Sequence, residues 1–186
     1  METHIPTRDE ALSLLTEYTE NEALINHALA VEGVMRYMAR KYGEDEDRWG
    51  VVGLVHDLDY ERYPDRHCVK VREILESNGW PEEYVRAVVS HGWGICSDVK
   101  PESQMEKVLY AVDELTGLVT ACALVRPSRS VNDLTAKSVG KKWKQPSFAA
   151  GVDRDVISRG AEMLDMERAD LFTDVIMGMR EVSDDI

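Results

Sequence analysis

Apolar residues recur at helical spacing along almost the whole of this 186-residue chain. The segment at 21–42 shows the pattern, with one apolar face made of Leu24, Ala28, Val31, Met35 and Met38. Helix boundaries are marked by a capping-box pair at Thr7 and Glu10 and by Gly43, where the apolar face ends. We find no strand pattern, no glycine-rich phosphate loop and no internal repeat. The sequence therefore predicts an all-α fold, a single-domain helical bundle over 1–186.

Proline, glycine and capping residues divide this pattern into separate helices. Pro81 favours a helix start, Arg126-Pro127 ends the longest helix, and Ser130 is placed to cap the next one. The predicted helices cover about 7–20, 21–42, 47–57, 65–77, 81–92, 102–124, 131–142, 153–164 and 167–182. The segment at 141–153 is a connection between helices and not a domain boundary, since neither side is large enough to fold alone.

The charge of the chain limits its partners. A formal net charge of −13 argues against a general nucleic-acid-binding role, because a phosphate backbone would be repelled. The segment from Arg126 to Lys144 nevertheless carries a local charge of +5. A basic stretch in an acidic protein is a candidate anion site, and a solvated helix face is the alternative.

The cysteines and the lack of long apolar runs predict the cellular compartment of the protein. The cysteines, Cys68, Cys96 and Cys122, are widely spaced and lack a CxxC pair, which predicts free thiols and a reducing environment. The N-terminal segment is polar and acidic, unlike a signal peptide. No apolar run approaches the ~18 residues of a membrane span. We therefore expect a cytoplasmic protein with no membrane partner.

Four histidines, His27, His56, His67 and His91, fall at helical spacing from apolar residues, and each is predicted to point inward. A single inward histidine is more often a core residue bonded to a backbone carbonyl than a metal ligand. Four of them, from four helices, would need four separate partners, at about 1–3 kcal/mol for each one left unpaired. Convergence on one metal centre would satisfy all four, since imidazole is the usual ligand of transition metals.

Two acids accompany these histidines. Asp57 directly follows His56, although composition alone gives about 0.4 such pairs by chance, so the pair is weak by itself. Asp113 lies on the apolar stripe of the helix at 102–124, where an acid is rarely tolerated without a partner. Glu114 is one residue off that stripe, and the better prediction for it is a solvated acid or one that supports the ligands without binding the ion.

The order of these residues resembles the HD superfamily of metal-dependent phosphohydrolases. His27, then His56-Asp57, then Asp113 match its minimal H…HD…D signature, and His67 and His91 match the extended pattern of dinuclear members. The resemblance covers about 21–125, so it implies a helical HD core there and a helical extension over about 126–186. This extension could cover a metal cleft or simply complete the core.

The resemblance implies a role for each residue. His27, His56 and Asp113 would hold one divalent transition-metal ion (Fe, Mn, Ni, Co or Zn), and His67 and His91 a second. Asp57 would bridge the two ions, so that Asp57 and Asp113 are the implied catalytic residues. The implied reaction is hydrolysis of a phosphomonoester or phosphodiester by a hydroxide that the two ions activate. A nucleotide or another small phosphorylated metabolite is the expected substrate.

The sequence departs from the family pattern at one point. Many members carry HD-x-x-K, whose lysine can meet a phosphate, whereas this chain has Tyr60 in that place. The candidates for substrate binding are therefore other basic residues, namely Arg62, Arg126, Lys141 and Lys142. Two other functions stay open: a mixed-valent di-iron oxygenase, which uses the same six ligands in some HD proteins, and a non-catalytic helical binding module.

Overall fold

The computed structural model describes residues 4–184 and 186, and it confirms the predicted all-α fold. The helices are α1 (Arg8–Tyr18), α2 (Glu22–Tyr42), α3 (Glu46–Val55), α4 (Val69–Ser77), α5 (Glu82–Ser90), α6 (Gln104–Leu124), α7 (Ala136–Trp143), α8 (Arg154–Met163) and α9 (Arg168–Glu181). Within this described part, the only extended pairing is an isolated bridge between Trp93 and Ser97. None of the helices described there combines the length and apolar character that a membrane crossing needs.

Local hydrogen bonds explain where the helices start and stop. The predicted capping box opens α1, with the Thr7 side chain accepting from the Glu10 N–H and the Glu10 carboxylate accepting from the Thr7 N–H at 2.7 Å. A second box, between Ser103 and Glu106, opens α6. Gly43 ends α2 in the left-handed conformation, with φ at 71°, which glycine adopts without steric cost. Specific residues of the sequence thus determine where α2 ends and where α6 begins.

The fourth helix starts later than predicted. The sequence pattern placed its start near residue 65, but Pro64–Arg66 forms only a 3-10 turn, and α4 begins at Val69. Cys68 separates the two with a φ of 70°, a value that a helix cannot contain. The prediction that His67 lies on a helix face is therefore wrong, since His67 precedes the helix.

The predicted helix over 131–142 is also wrong in its first half. Ser130 caps a three-residue 3-10 turn, Val131–Asp133, and the backbone is extended at Leu134. Thr135 then provides a new capping box, from which α7 begins. Ser130 and Thr135 both precede suitable helical sequence, so the pattern alone does not show which of them starts the helix.

Helix α2 lies at the centre, and α3, α6 and α9 pack against it. Two glycines allow close approach to it. Gly53 of α3 faces Val31 and Met35 of α2, and Gly178 of α9 faces the backbone of Val34. A Cβ atom at Gly178 would lie 2.6 Å from the Cα of Val34, so a larger residue there would push the helices apart.

The helices after α6 belong to the same packed interior. Ile157 of α8 and Leu171 and Val175 of α9 are fully buried. Gly160 brings α8 against α6 at Ala111, two residues before Asp113. The C-terminal helices therefore support α6 from the side.

Gly160→Ala is expected to lower the free energy of unfolding by about 1–3 kcal/mol, because its Cβ would lie 2.5 Å from the Cα of Ala111, a backbone atom that cannot move aside. Gly140→Ala, inside α7, is the matched control. Its Cβ would meet nothing within 4 Å, and alanine is the better helix former by about 1 kcal/mol. Urea unfolding of both variants measures the difference. A G160A protein as stable as G140A would contradict this packing.

Candidate metal centre

The six predicted ligand residues come from different segments and lie together. His27 is in α2 and Asp113 in α6, whereas His56-Asp57 and His91 follow the last residues of α3 and α5. His67 lies between the 3-10 turn and α4. His56 is fully buried, and the remaining five are buried or half-buried. The fold thus gathers four imidazoles and two carboxylates at the ends and middles of helices.

Backbone carbonyls fix the orientation of two of these rings. The Nδ1–H of His56 donates to the carbonyl of Gly53 at 2.6 Å, and the Nδ1–H of His91 donates to the carbonyl of Val88. Both carbonyls lie three residues back, in the last turn of a helix, and that of Val88 also accepts the backbone N–H of His91 at 3.3 Å. Because the carbonyl keeps a proton on Nδ1, Nε2 is the nitrogen of each ring that is available to a metal ion. This explains why two helices end in histidine.

The carboxylate of Asp57 faces two groups of ligands at once. Its Oδ2 lies 3.3 Å from Nε2 of His56 and 3.7 Å from Nε2 of His27. Its Oδ1 lies 3.2 Å from Nε2 of His67 and 3.2 Å from Nε2 of His91. Each oxygen therefore belongs to a different half of the cluster.

The first half is completed by Asp113. Its Oδ1 lies 2.9 Å from Nε2 of His27 and 3.1 Å from Nε2 of His56. Ligand atoms of these residues and of Asp57 all lie within 4.8 Å of one another. In the second half, the Nε2 atoms of His67 and His91 are 3.2 Å apart.

These spacings fit the shell of a bound metal ion. Two ligands at adjacent positions, each about 2.1 Å from an ion, are separated by about 3 Å. Nitrogen and carboxylate oxygen together suit divalent transition metals. The His/Asp clusters therefore indicate divalent metal binding, with the donor atoms already at shell distances from one another.

Sequence reasoning missed Asp59, which lies behind the second half. Its side chain is fully buried. Oδ1 accepts a hydrogen bond from Nδ1–H of His67 at 2.6 Å, and Oδ2 accepts from the backbone N–H of Val71 at 2.8 Å. Asp59 thus orients His67 and caps α4, whose N-cap residue Cys68 supplies no side-chain bond. The missed signal was a second acid, two residues after Asp57, before a helix without its own capping side chain.

Charges in the cluster favour the protonated ring of His56 and the ionised carboxylates of Asp57 and Asp113. Burial alone disfavours the charged ring of His56, but the charges of Asp57 and Asp113 outweigh burial and raise the pKa of His56 well above its usual value. Burial raises the pKa of a carboxyl group, yet the His56 charge and histidine hydrogen bonds hold the pKa of Asp57 well below its usual range. The pKa of Asp113 is lowered in the same way. A metal ion would replace these ring protons on binding.

The basic residues predicted to bind substrate do not join the cluster. Arg126 pairs with Asp133 at 2.9 Å, away from the six ligands. The other observed contacts are of Arg62 with the Tyr18 ring and of Lys142 with the Phe148 ring. Lys141 is exposed. None of these four side chains forms a described hydrogen bond, ion pair or ring contact with a ligand residue, so their substrate role stays a prediction.

Glu114 is not the fully solvated acid that is one of the two alternatives predicted for it. It is half-buried, and its Oε2 accepts a hydrogen bond from the backbone N–H of Asp153 at 3.0 Å. Asp153 is the N-cap of α8, so this bond ties α8 to α6 beside Asp113. Burial raises the pKa of Glu114, and the nearby charge of Asp113 adds to this shift.

The prediction of three free thiols is wrong for two of them. Cys68 and Cys96 form a disulfide, with Cα atoms 6.0 Å apart, and Cys122 is free and buried. The two cysteines are 28 residues apart, so the sequence did not indicate that they pair. They meet because the turn after His67 packs onto the loop after His91. A side chain at Gly92 would overlap both sulfur atoms, so glycine is required next to His91.

Comparisons with known proteins agree with this geometry. The HD domain family model matches residues 24–118, a range that contains all six ligand residues. A curated relative, ribonuclease Y from Oleidesulfovibrio alaskensis, is 27% identical over 109 residues, which cover 57% of this chain and 20% of the relative. The chain thus spans about a fifth of the relative's length. No solved structure matches significantly.

Stability of chelator-treated protein should fall as the pH rises from about 6.5 to 9. Burial by itself lowers the pKa of His67, but its hydrogen bonds to Asp57 and Asp59 raise it to about 9. A raised histidine pKa stabilises the fold fully below the unfolded value of about 6.5, and this contribution disappears as the pH passes 9. Thermal melts between pH 6 and 9.5 measure the effect, and His67→Gln should flatten the profile. An equally steep fall in H67Q would refute the assignment.

Asp59→Asn should weaken metal binding by about 10–100-fold while leaving the protein folded. The asparagine oxygen can still accept from Val71, but its NH₂ would face Nδ1 of His67 and move the ring proton to Nε2. A protonated Nε2 cannot bind a metal ion. Asp45→Asn, which changes the N-cap of α3, is the matched control. Calorimetric titration with Mn²⁺ measures both variants, and equal affinities would exclude this role for Asp59.

Proposed function

Because the chain belongs to the HD domain family, we propose that it is a metal-dependent phosphohydrolase acting on a nucleotide or another small phosphorylated metabolite. Membership supports hydrolytic chemistry at a metal centre. We propose the substrate class and the binding of two ions on the further grounds given below.

The observation that carries the proposal is the position of Asp57. One of its oxygens faces His56 and His27, and the other faces His67 and His91 at 3.2 Å from each. A carboxylate whose two oxygens face different ligand sets is suited to bridge two ions. Each of the two sets of Nε2 atoms would then hold one of these ions. A single ion would leave one set of buried ring nitrogens without a partner.

Each residue has a defined task in this proposal. His27, His56 and Asp113 hold one ion, and His67 and His91 hold the other. The carbonyls of Gly53 and Val88 keep two imidazoles in the ligating tautomer. Ions bound in such a pair polarise a phosphoryl oxygen and lower the pKa of water toward about 7.

The curated relative supports hydrolysis of a phosphoester as the reaction, but it gives little support for a particular substrate. Its name describes cleavage of RNA, which is hydrolysis of a phosphodiester, but this chain spans only about a fifth of its length. The net charge of −13 on this chain favours a small substrate over an RNA strand, whose many phosphates would be repelled.

Hydrolysis of defined substrates tests the proposal, measured as phosphate released from monoesters and polyphosphates and as the cleaved products of diesters. Protein reloaded with Mn²⁺ is assayed under argon with nucleoside mono- and polyphosphates, a model phosphodiester and a short RNA. We expect hydrolysis of a small substrate, and a loss of at least about 100-fold in Asp57→Asn. This variant should also lose both bound metal equivalents, whereas His91→Ala should lose only one. Metal analysis of the purified variants measures this difference.

Asp170→Asn, an exposed acid in the first turn of α9, is the matched control and should behave as wild type. Oxygen consumption by iron-loaded protein in air, without hydrolysis of any substrate under argon, would favour the di-iron oxygenase over the hydrolase. Less than about one equivalent of any transition metal, with no activity after reloading, would leave a non-catalytic binding module.

A further inference from the structure

Two cations lie against one tryptophan ring in the loop that follows α5. The Cζ of Arg159, from α8, is 5.9 Å from the centre of the Trp93 ring, and the Nζ of Lys100 is 5.5 Å from it. Trp93 is half-buried, whereas both cations are exposed. Cation–π contact holds the two charges near each other at the surface.

Short stretches of chain connect this cluster to the candidate metal centre. Trp93 follows the ligand residue His91 by two positions. Arg159 donates a hydrogen bond from Nη1 to the hydroxyl of Tyr110 at 3.1 Å, and the Trp93 and Tyr110 rings are 5.9 Å apart. Tyr110 precedes Asp113 by three residues on α6, a rise of about 4.5 Å along the helix. Both ring neighbours of Arg159 are therefore close in the chain to metal ligands.

Neither cation is neutralised by an acid in the described part of the chain. Arg159 forms its hydrogen bond with a tyrosine, and Lys100 forms no described ion pair. Asp98 lies in the same loop but has no described contact with either of them. Two positive charges without acidic partners are notable in a protein with a net charge of −13.

We infer that Arg159 and Lys100 bind a second anionic group of the substrate, a phosphate, while the phosphate to be cleaved lies at the metal centre. This inference rests on the proposed function and narrows it to metabolites with two phosphate groups. Guanidinium matches phosphate geometry with two parallel hydrogen bonds, and an ammonium adds a mobile charge. Arg159 lies outside residues 24–118, whereas Lys100 and Trp93 lie within them, so this site would form between the shared domain and the C-terminal extension.

A matched control is available in the same extension. Arg168 is also exposed and lies 4.9 Å from the centre of the Trp143 ring, but neither of these residues neighbours a metal ligand in the chain. Arg159→Gln and Arg168→Gln remove the same charge from the same kind of ring contact. Only the first should affect substrate binding.

The first measurement compares Mn²⁺-loaded proteins on adenosine 3′,5′-bisphosphate and on the 3′- and 5′-monophosphates. We expect R159Q to raise KM for the bisphosphate about tenfold, the loss of one charge-assisted hydrogen bond, with little change in kcat. KM for the monophosphates should not change, and R168Q should match wild type. If R159Q changes bisphosphate and monophosphate KM equally, the second phosphate site is excluded, while the hydrolase stands.

The second measurement needs no activity. Inorganic phosphate is titrated into full-length protein, metal-loaded and chelator-treated, with tryptophan fluorescence as the readout. In chelator-treated protein we expect a Trp93 signal that is absent in Trp93→Phe and shifted about tenfold to higher phosphate in R159Q. Such binding without hydrolysis of any substrate would support the anion site and refute the proposed function. Phosphate binding that R159Q leaves unchanged would overturn the inference.

Discussion

The carboxylate of Asp57 is the point on which the arrangement depends. It sits just beyond α3, whose last turn is formed by the fully buried segment 51–55. That apolar run holds the helix end against α2, so the next two side chains emerge in fixed directions. His56 then turns back to the Gly53 carbonyl, and Asp57 extends between two sets of imidazoles.

The loop after Asp57 ties this point to the surrounding helices. Asp59 bonds to His67 and to the first turn of α4. Glu61 accepts from the backbone N–H groups of Glu20 and Asn21 at the start of α2, at 2.8 and 3.0 Å. Three alternate acids of one loop therefore have different tasks. Asp57 faces the metal centre, Asp59 orients His67, and Glu61 binds the backbone at the start of α2. A shift of this loop would disturb both halves of the cluster together.

Helical periodicity was sufficient to place His27 and Asp113, because each lies within a long helix whose apolar face is clear in the sequence. It was not sufficient for His67, which precedes α4 and is directed inward by Asp59 instead of by a helix face. Contacts between distant segments leave no periodic signal. The pairing of Cys68 with Cys96 escaped prediction for that reason.

The central claim is that one carboxylate joins two ions, and electron paramagnetic resonance of Mn²⁺-loaded protein tests it most directly. Two Mn²⁺ ions about 3.5–4 Å apart are expected to give the broad spectrum of a spin-coupled pair. Titration should reach about two equivalents before the six-line signal of isolated Mn²⁺ dominates. A spectrum of isolated ions from the first equivalent to saturation would contradict the account, because Asp57 would then bind at most one of them.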